Sequence, residues 1–420
     1  MNLDLGVLPI PASLRQVLAS EVLDLRLALV GGAVRDLMLH RVHCDPWRGV
    51  PDLDLVVEDL ASPGSAVDPA AHRLARALQE VDPGEVGFCR FHGAYGTVEL
   101  ELNGVLLDLA TARSESYPRP AENPVVRNGR LEDDLDRRDF SINAMALLLQ
   151  PGGEPKLLDP HGGQADLAAC RLRLLHDQSL RDDPTRLVRG ARYAARLSLS
   201  LDLSSLAQAR RTLAAWPWPW RPGDPPEQAP PALGTRLRME FDLLLEREPW
   251  AEALALLQTW GGLGLLDAGL QADPRWRSRL RWARRLGLPL LPALLAGGAN
   301  PAALAARLQL PHKQQLWLEQ FLALRACLPA PEAAGDWPPS RWCDLFEGHG
   351  RSPEAVALAL VAGDGPRRPL LRWLLRWRHV KAPHTAAELM AREGLRPGPV
   401  LGQRLKQLRA ERLDQLSAAR

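Results

Sequence analysis

Near residue 178 the pattern of this chain changes from short strand-like runs interleaved with helical stretches to helix alone, and that switch restricts the fold more than any other feature. Before it, apolar runs of strand character stand at 25–30, 53–57, 97–102 and 105–110, with helical periodicity at 70–80 and 139–149. After it, Leu/Ala/Arg-rich segments with helical spacing follow one another, broken by proline and glycine. The expected class is therefore α+β: a mixed domain up to about residue 175, then helices only. The segment WPWPWRPGDPPEQAPP at 216–231 is too proline-rich for a helix. It is expected to form an extended surface loop whose tryptophans pack against a neighbouring helix.

With 420 residues, 46% of them hydrophobic, the chain can bury a sizeable core and is expected to make two or three domains. No window is apolar enough to span a bilayer, and no basic leader precedes an apolar run, so a cytoplasmic protein with no membrane contact is expected. Its five cysteines are scattered, without CxxC pairs or histidines at metal spacing, which reads as reduced thiols. The net charge of +2 hides an asymmetry: residues 1–250 carry 28 Lys+Arg against 36 Asp+Glu, whereas 251–420 carry 24 against 14. A basic C-terminal part suits a polyanionic partner. Its stretches RWRSRLRWARR (275–285) and RRPLLRWLLRWRHVK (367–381) read as helical and alternate arginine with Trp and Leu. Trp276, Trp282, Trp373 and Trp377 sit among leucines at helical spacing and read as core.

The chemistry-bearing stretches begin with Gly31-Gly32-Ala33-Val34-Arg35-Asp36, which follows the first apolar run and leads into a helix. Two glycines let backbone N–H groups approach a phosphate at a helix N-terminus, and Arg35 stands one turn in. In Pro51-Asp52-Leu53-Asp54-Leu55, strand alternation puts Asp52 and Asp54 on one face, about 7 Å apart. Such a pair can share divalent cations when substrate phosphates complete the shell. Asp108, on another strand-like run, is a third candidate ligand. The stretch Asp136 to Ala146 predicts a helix entering the core with Asp139 and Asn143 one turn apart.

In Ser179 to Arg192, Asp183-Pro184 predicts a helix start, after which Arg186, Arg189 and Arg192 recur every three residues. Asp183 and Arg186 offer an acceptor beside a donor fork. Cytosine and adenine both present an amino donor next to an unprotonated ring nitrogen, so this pair suits CTP and ATP and mismatches UTP and GTP.

These stretches, in this order, resemble the class II tRNA nucleotidyltransferases (CCA-adding enzymes) and the bacterial poly(A) polymerases of the same family. The resemblance rests on GGAVRD, PDLDLVV, RRDFSINAMA, LLDPHGGQADL (157–167) and DDPTRLVRGARYAARL (182–197), and covers about residues 25–245. It implies a nucleotidyltransferase-superfamily head with a small mixed β-sheet over 1–175, a helical neck carrying base recognition over 176–250, and a tRNA-binding helical body and tail over 251–420. It also implies that Asp52 and Asp54 bind Mg²⁺, Gly31, Gly32 and Arg35 the triphosphate, and Arg138 the nucleotide with help from Asp139 and Asn143 toward the ribose. Asp183 and Arg186 would read the base, supported by Arg189 and Arg192. The implied reaction adds CCA to tRNA 3′ ends from CTP and ATP with release of pyrophosphate. Specialists adding only CC or only A share these motifs, and the segment between Arg113 and Asp139 is where the family switches from C to A. A poly(A) polymerase is disfavoured because no GRRF-like signature stands near the neck, and a non-catalytic RNA-binding relative because Asp52 and Asp54 are intact. The pair before Pro184 is Asp-Asp where the family usually has Glu-Asp.

Overall fold

The computed structural model describes residues 7–19, 24–47, 49–50, 52–61, 68–93, 96–150, 155–329 and 337–418. The chain forms two compact units. The first comprises residues 1–219, 230–232 and 248–261; the second comprises 220–229, 233–247 and 262–420.

In the first unit the order is α1 (Ala12–Ala19), β1 (Leu25–Val30), α2 (Gly32–His43), β2 (Leu53–Asp59), α3 (Ala70–Val81), β3 (Val86–His92), β4 (Thr97–Leu102) and β5 (Val105–Thr111). There follow β6 (Arg113–Ser116), β7 (Val125–Asn128), α4 (Leu131–Asp136), β8 (Ala146–Leu149), β9 (Lys156–Leu158), α5 (Gly163–Ala168), β10 (Arg171–Leu172), α6 (Ser179–Asp182), α7 (Thr185–Leu197) and β11 (Ser200–Leu201). Seven strands pair in the order β3-β4-β5-β2-β1-β8-β9. Only β2 and β5 run parallel; every other neighbour in this sheet is antiparallel.

Alternation explains how this sheet carries a site. In β4, Val98, Leu100 and Leu102 are buried while Thr97, Glu99 and Glu101 point the other way. The apolar face is covered by α3, whose Ala71, Leu74, Ala75 and Leu78 are fully buried. Around β1, Leu131 and Leu135 of α4 close a second cluster with Ala28, Val30, Val56 and Ala146, so the central strands are covered on both sides. What remains open lies at the amino end of β2 and beside it on the middle of β5, where Asp54 and Asp108 are exposed.

Two expectations need correction. Residues 139–149 do not form a helix: Ser141–Asn143 make a single 3-10 turn and Ala146–Leu149 become β8, paired with β1. The apolar residues of this stretch satisfy a sheet edge as readily as a helix face, and an open edge of β1 was there to be paired. The helical region is not free of strand, because Ser200–Leu201 bridges in parallel to Arg171–Leu172. The 216–231 segment is irregular as expected, and its Trp218 and Trp220 are packed inward. The Trp218 indole N–H donates to the Arg181 carbonyl at 2.9 Å, and the Trp220 N–H to the Pro225 carbonyl at 3.0 Å. The sequence also missed β3, whose residues are mostly exposed on the edge of the sheet and so lack an apolar pattern.

The second unit is helical. The helix His312–Cys327 packs on Pro353–Ala362, and Pro339–Glu347 packs on Pro399–Ala418. Arg409 clamps the latter pair through Glu347 at 2.6 and 2.8 Å, and the Trp373 indole donates to the same carboxylate. Trp276 and Trp373 are core as expected, while Trp282 and Trp377 are half-exposed. All five cysteines are free, and no helix among the described residues is long and apolar enough to cross a membrane.

Candidate active site

The site is assembled at the turn from β1 into α2. Gly31 has φ 71° and ψ −136°, a backbone conformation that a side chain rarely tolerates. The close approach is equally restrictive: a Cβ there would stand 3.2 Å from Asp54 Oδ2 and 3.3 Å from Arg138 Nη1. Glycine thus lets the backbone lie against both groups, and it brings three separate sequence stretches to one point.

Parallel register sets Asp54 directly beside Asp108, and antiparallel register sets Asp108 beside Glu99. Asp52 precedes β2 and is half-buried. Asp54 is exposed on one side yet hemmed in elsewhere, so its carboxyl is pushed up to about 6 by partial burial, then by the charge of Asp52, with Asp108 and Asp134 adding and Arg138 opposing. Asp108 is raised as well, by burial and by Asp52 and Glu99. Crowded carboxylates of this kind fit hard, oxygen-seeking divalent cations, whose charge relieves the repulsion. No three His, Cys, Asp or Glu side chains among the described residues enclose an ion by themselves.

Both arginines of the RRDF stretch are gripped by a residue that the sequence reading overlooked. Asp134, fully buried on α4, accepts Arg137 Nε at 2.9 Å and Arg138 Nη2 at 2.9 Å. Burial alone would raise its carboxyl, but Arg138 and Arg137 outweigh it and hold it below the usual range. The acidic run LEDDLD was the available signal, and only packing shows which carboxylate turns inward. Arg138 Nε is buried with no hydrogen-bond partner among the described residues, as a donor awaiting an acceptor would be.

Behind this floor runs a buried relay. Asp36 accepts Arg35 Nε at 2.8 Å, Arg35 Nη1 donates to Asn143 Oδ1 at 2.8 Å, and Asn143 Nδ2 donates to Asp139 Oδ1 at 3.1 Å. Arg189 Nη1 donates to Asp139 Oδ2 at 3.2 Å, which joins α2 to α7. Tyr193, also unforeseen, lies in the same layer, with Arg35 and Arg196 each 5.4 Å from its ring centroid. Arg35 is thus 4% exposed and engaged internally.

At the start of α7, Asp183 Oδ1 accepts the Thr185 N–H at 3.0 Å and its hydroxyl at 2.6 Å, which fixes the helix entry. Arg186 donates to the Arg137 carbonyl at 3.1 Å, to the Arg138 carbonyl at 3.4 Å and to Ser179 Oγ at 3.3 Å. Its fork is therefore oriented against the RRDF stretch. Arg192 pairs with the buried Glu248 at 3.4 Å. LLDPHGGQADL is scaffolding: Asp159 accepts the Gly163 and Gln164 N–H groups, and buried Asp166 accepts the Ser141 hydroxyl and Arg173. Helix α7 passes so close to Phe140 that a Cβ on Gly190 would lie 2.8 Å from its ring. Gly190→Ala is expected to cost about 1–3 kcal/mol by overpacking, seen as a lowered Tm.

The family model for the poly A polymerase head domain matches residues 27–173. A CC-adding tRNA nucleotidyltransferase of Deinococcus radiodurans is 38% identical over 362 residues, 83% of each chain. The chain belongs to the tRNA nucleotidyltransferase family. An A-adding enzyme of Halalkalibacterium halodurans is also 38% identical, but over 46% of this chain and 41% of its own. A CCA-adding enzyme of a Geobacillus species is 30% identical over 78% of this chain and 72% of its own. The fold is that of the Thermotoga maritima CCA-adding enzyme complexed with tRNA, at TM-score 0.69 and 22% identity over 99% of this chain and 95% of that one. As a member of this family the protein is a nucleotidyltransferase, and the mixed-sheet head followed by helices is the family fold.

Proposed function

We propose that this tRNA nucleotidyltransferase adds the two cytidines of the 3′ terminus and leaves the final adenosine to another enzyme. The observation that carries this reading is the 38% identity to a CC-adding enzyme over 83% of both chains, against 30% over 78% of this chain for the CCA-adding relative and less than half of each chain for the A-adding relative of Halalkalibacterium halodurans. The segment between Arg113 and Asp139, the place of the C-to-A switch in the family, supports it. Here it is the β6–β7 hairpin plus α4, tied by Glu115 to Arg113, Arg137 and Tyr117. A segment so bound is poorly suited to re-shaping between two bases.

In this reading the tRNA 3′-hydroxyl attacks the α-phosphorus of CTP; a new O–P bond forms and pyrophosphate leaves. Asp52 and Asp54, with Asp108 beside them, would hold divalent cations such as Mg²⁺, which would supply Lewis-acid polarisation of the reacting oxygens. Backbone N–H groups at Gly31 and Gly32 face the triphosphate at the N-terminus of α2. Arg138 supplies its unpartnered Nε to an acceptor on the nucleotide. Asp139 and Asn143 border the ribose, and Arg35 steadies Asn143. Asp183 and Arg186 read the base edge, while Arg189 and Arg192 hold α7 in place.

The matching chemistry of cytosine and adenine at such an edge favours complete CCA addition as the second reading. Transfer RNAs ending before the first C, after one C and after two, each given CTP, ATP or both, separate the two. CC addition predicts that the tRNA ending in CC stays unextended with ATP. Addition of A to it, together with C addition to the shorter tRNAs, would establish the second reading; A addition alone, or no incorporation on any substrate, would refute both.

A further inference from the structure

The helical unit contains a cleft of about 280 Å³ lined by Arg275, Arg279 and Arg325 together with Asp273, Asp364 and the Gly297-Gly298 backbone. We propose that this cleft binds one phosphodiester group of an RNA backbone. The proposal rests on the reading of tRNA as substrate, and it assigns a binding role to residues outside the nucleotide site.

Four observations converge on it. Arg279 is 3% exposed, paired with Asp273, and its Nε has no hydrogen-bond partner among the described residues. Gly297 makes room for this guanidinium, since any Cβ there would overlap it. Arg325 reaches Asp364 only at 3.9 Å, the outer limit of an ion pair, so most of its donors remain available. Arg275 and Arg325 are exposed at the rim while Arg279 forms the floor, so three forks face one space.

Charge then chooses among anions. Three guanidinium groups against two carboxylates leave one positive charge in the cleft. A phosphodiester carries one negative charge and balances it, whereas a free phosphate dianion would overcharge a cleft that already holds two carboxylates. Basic residues elsewhere on the helix Trp276–Arg285 can extend the same contact to neighbouring phosphates.

The test uses full-length protein and a tRNA lacking CCA, with affinity measured over a series of salt concentrations. In the double variant Arg275→Gln/Arg325→Gln, both at exposed positions, affinity should fall about tenfold near 0.1 M salt. The slope of log affinity against log salt should become shallower by about 0.7–0.9, the value for one lost phosphate contact. Turnover at saturating tRNA should hold while KM for tRNA rises, and Arg275→Lys/Arg325→Lys should restore the slope. Calorimetry with inorganic phosphate is the second arm. Saturable phosphate binding that the Gln variant loses, with its RNA slope unchanged, would overturn the RNA assignment in favour of a free anion. Unchanged affinity and slope for tRNA, with incorporation intact, would overturn the inference alone. Failure of the unmodified protein to bind tRNA would overturn it together with the functional reading.

Discussion

Replacing Asp54 by Asn should lower nucleotide incorporation by about 10³-fold and, at the same time, make the metal-free protein more stable above pH 6. The loss follows from the proposed role of Asp54 as a cation ligand; several kcal/mol of transition-state stabilisation, at about 1.4 kcal/mol per decade, gives this scale. The gain follows from the carboxylate crowding. Partial burial and the charge of Asp52 push the Asp54 carboxyl from 3.8 to about 6, so its ionised form is held at a cost in the folded chain. A raised acid pKa means that the folded state binds the proton more tightly than the unfolded state. The cost is therefore complete above about pH 6 and is relieved as pH falls toward 4. Thermal melts in EDTA should show the Asn variant above the unmodified protein at pH 7.5 and level with it near pH 4. Equal melting at pH 7.5 would mean that the repulsion is screened by solvent.

The second large effect is expected at Asp139. This carboxylate is 6% exposed and accepts from the Phe140 N–H, Asn143 and Arg189. Burial by itself would raise its carboxyl, but Arg189, Asn143 and Arg186 prevail and hold it below the ordinary 3.8. Asp139→Asn keeps the shape but removes the charge opposite Arg189, and should cost about 2–3 kcal/mol at pH 7. A depressed acid pKa contributes stability above the unfolded value and loses it as pH falls through the folded value. The gap between variant and unmodified protein should therefore narrow below about pH 4. Denaturant titrations at pH 7 and pH 3 measure it; a gap of equal size at both would assign the loss to packing instead. Because the relay runs on to Asn143 and Arg35, KM for CTP should rise as well.

Much of this could be seen in the chain. The strands at Leu25–Val30 and Thr97–Leu102 were legible because alternation and apolar runs survive wherever a sheet is covered. The stretch around Phe140 was misread, since ALLL suits a helix face and a sheet edge alike and the choice depended on β1 being open. Gly31, Asp52, Asp54 and Asp139 stand out by residue type and spacing, and Arg138 through the resemblance to a known family. Asp134 and Tyr193 were not, as a carboxylate in an acidic run and an aromatic on a helix carry no mark of function until neighbours turn them inward.

Sequence by itself determined the division into a mixed head and a helical remainder, the family, and the inventory of carboxylates and arginines. These follow from local periodicity and residue type, which each stretch carries wherever it lies. Tertiary structure alone decided that Asp54 stands beside Asp108 and under Gly31, and that Arg35, Asn143, Asp139 and Arg189 form one line. It also set Arg275, Arg279 and Arg325 around one cleft. Distances between residues 50 or 100 positions apart depend on strand register and close packing, and neither is written in any single stretch.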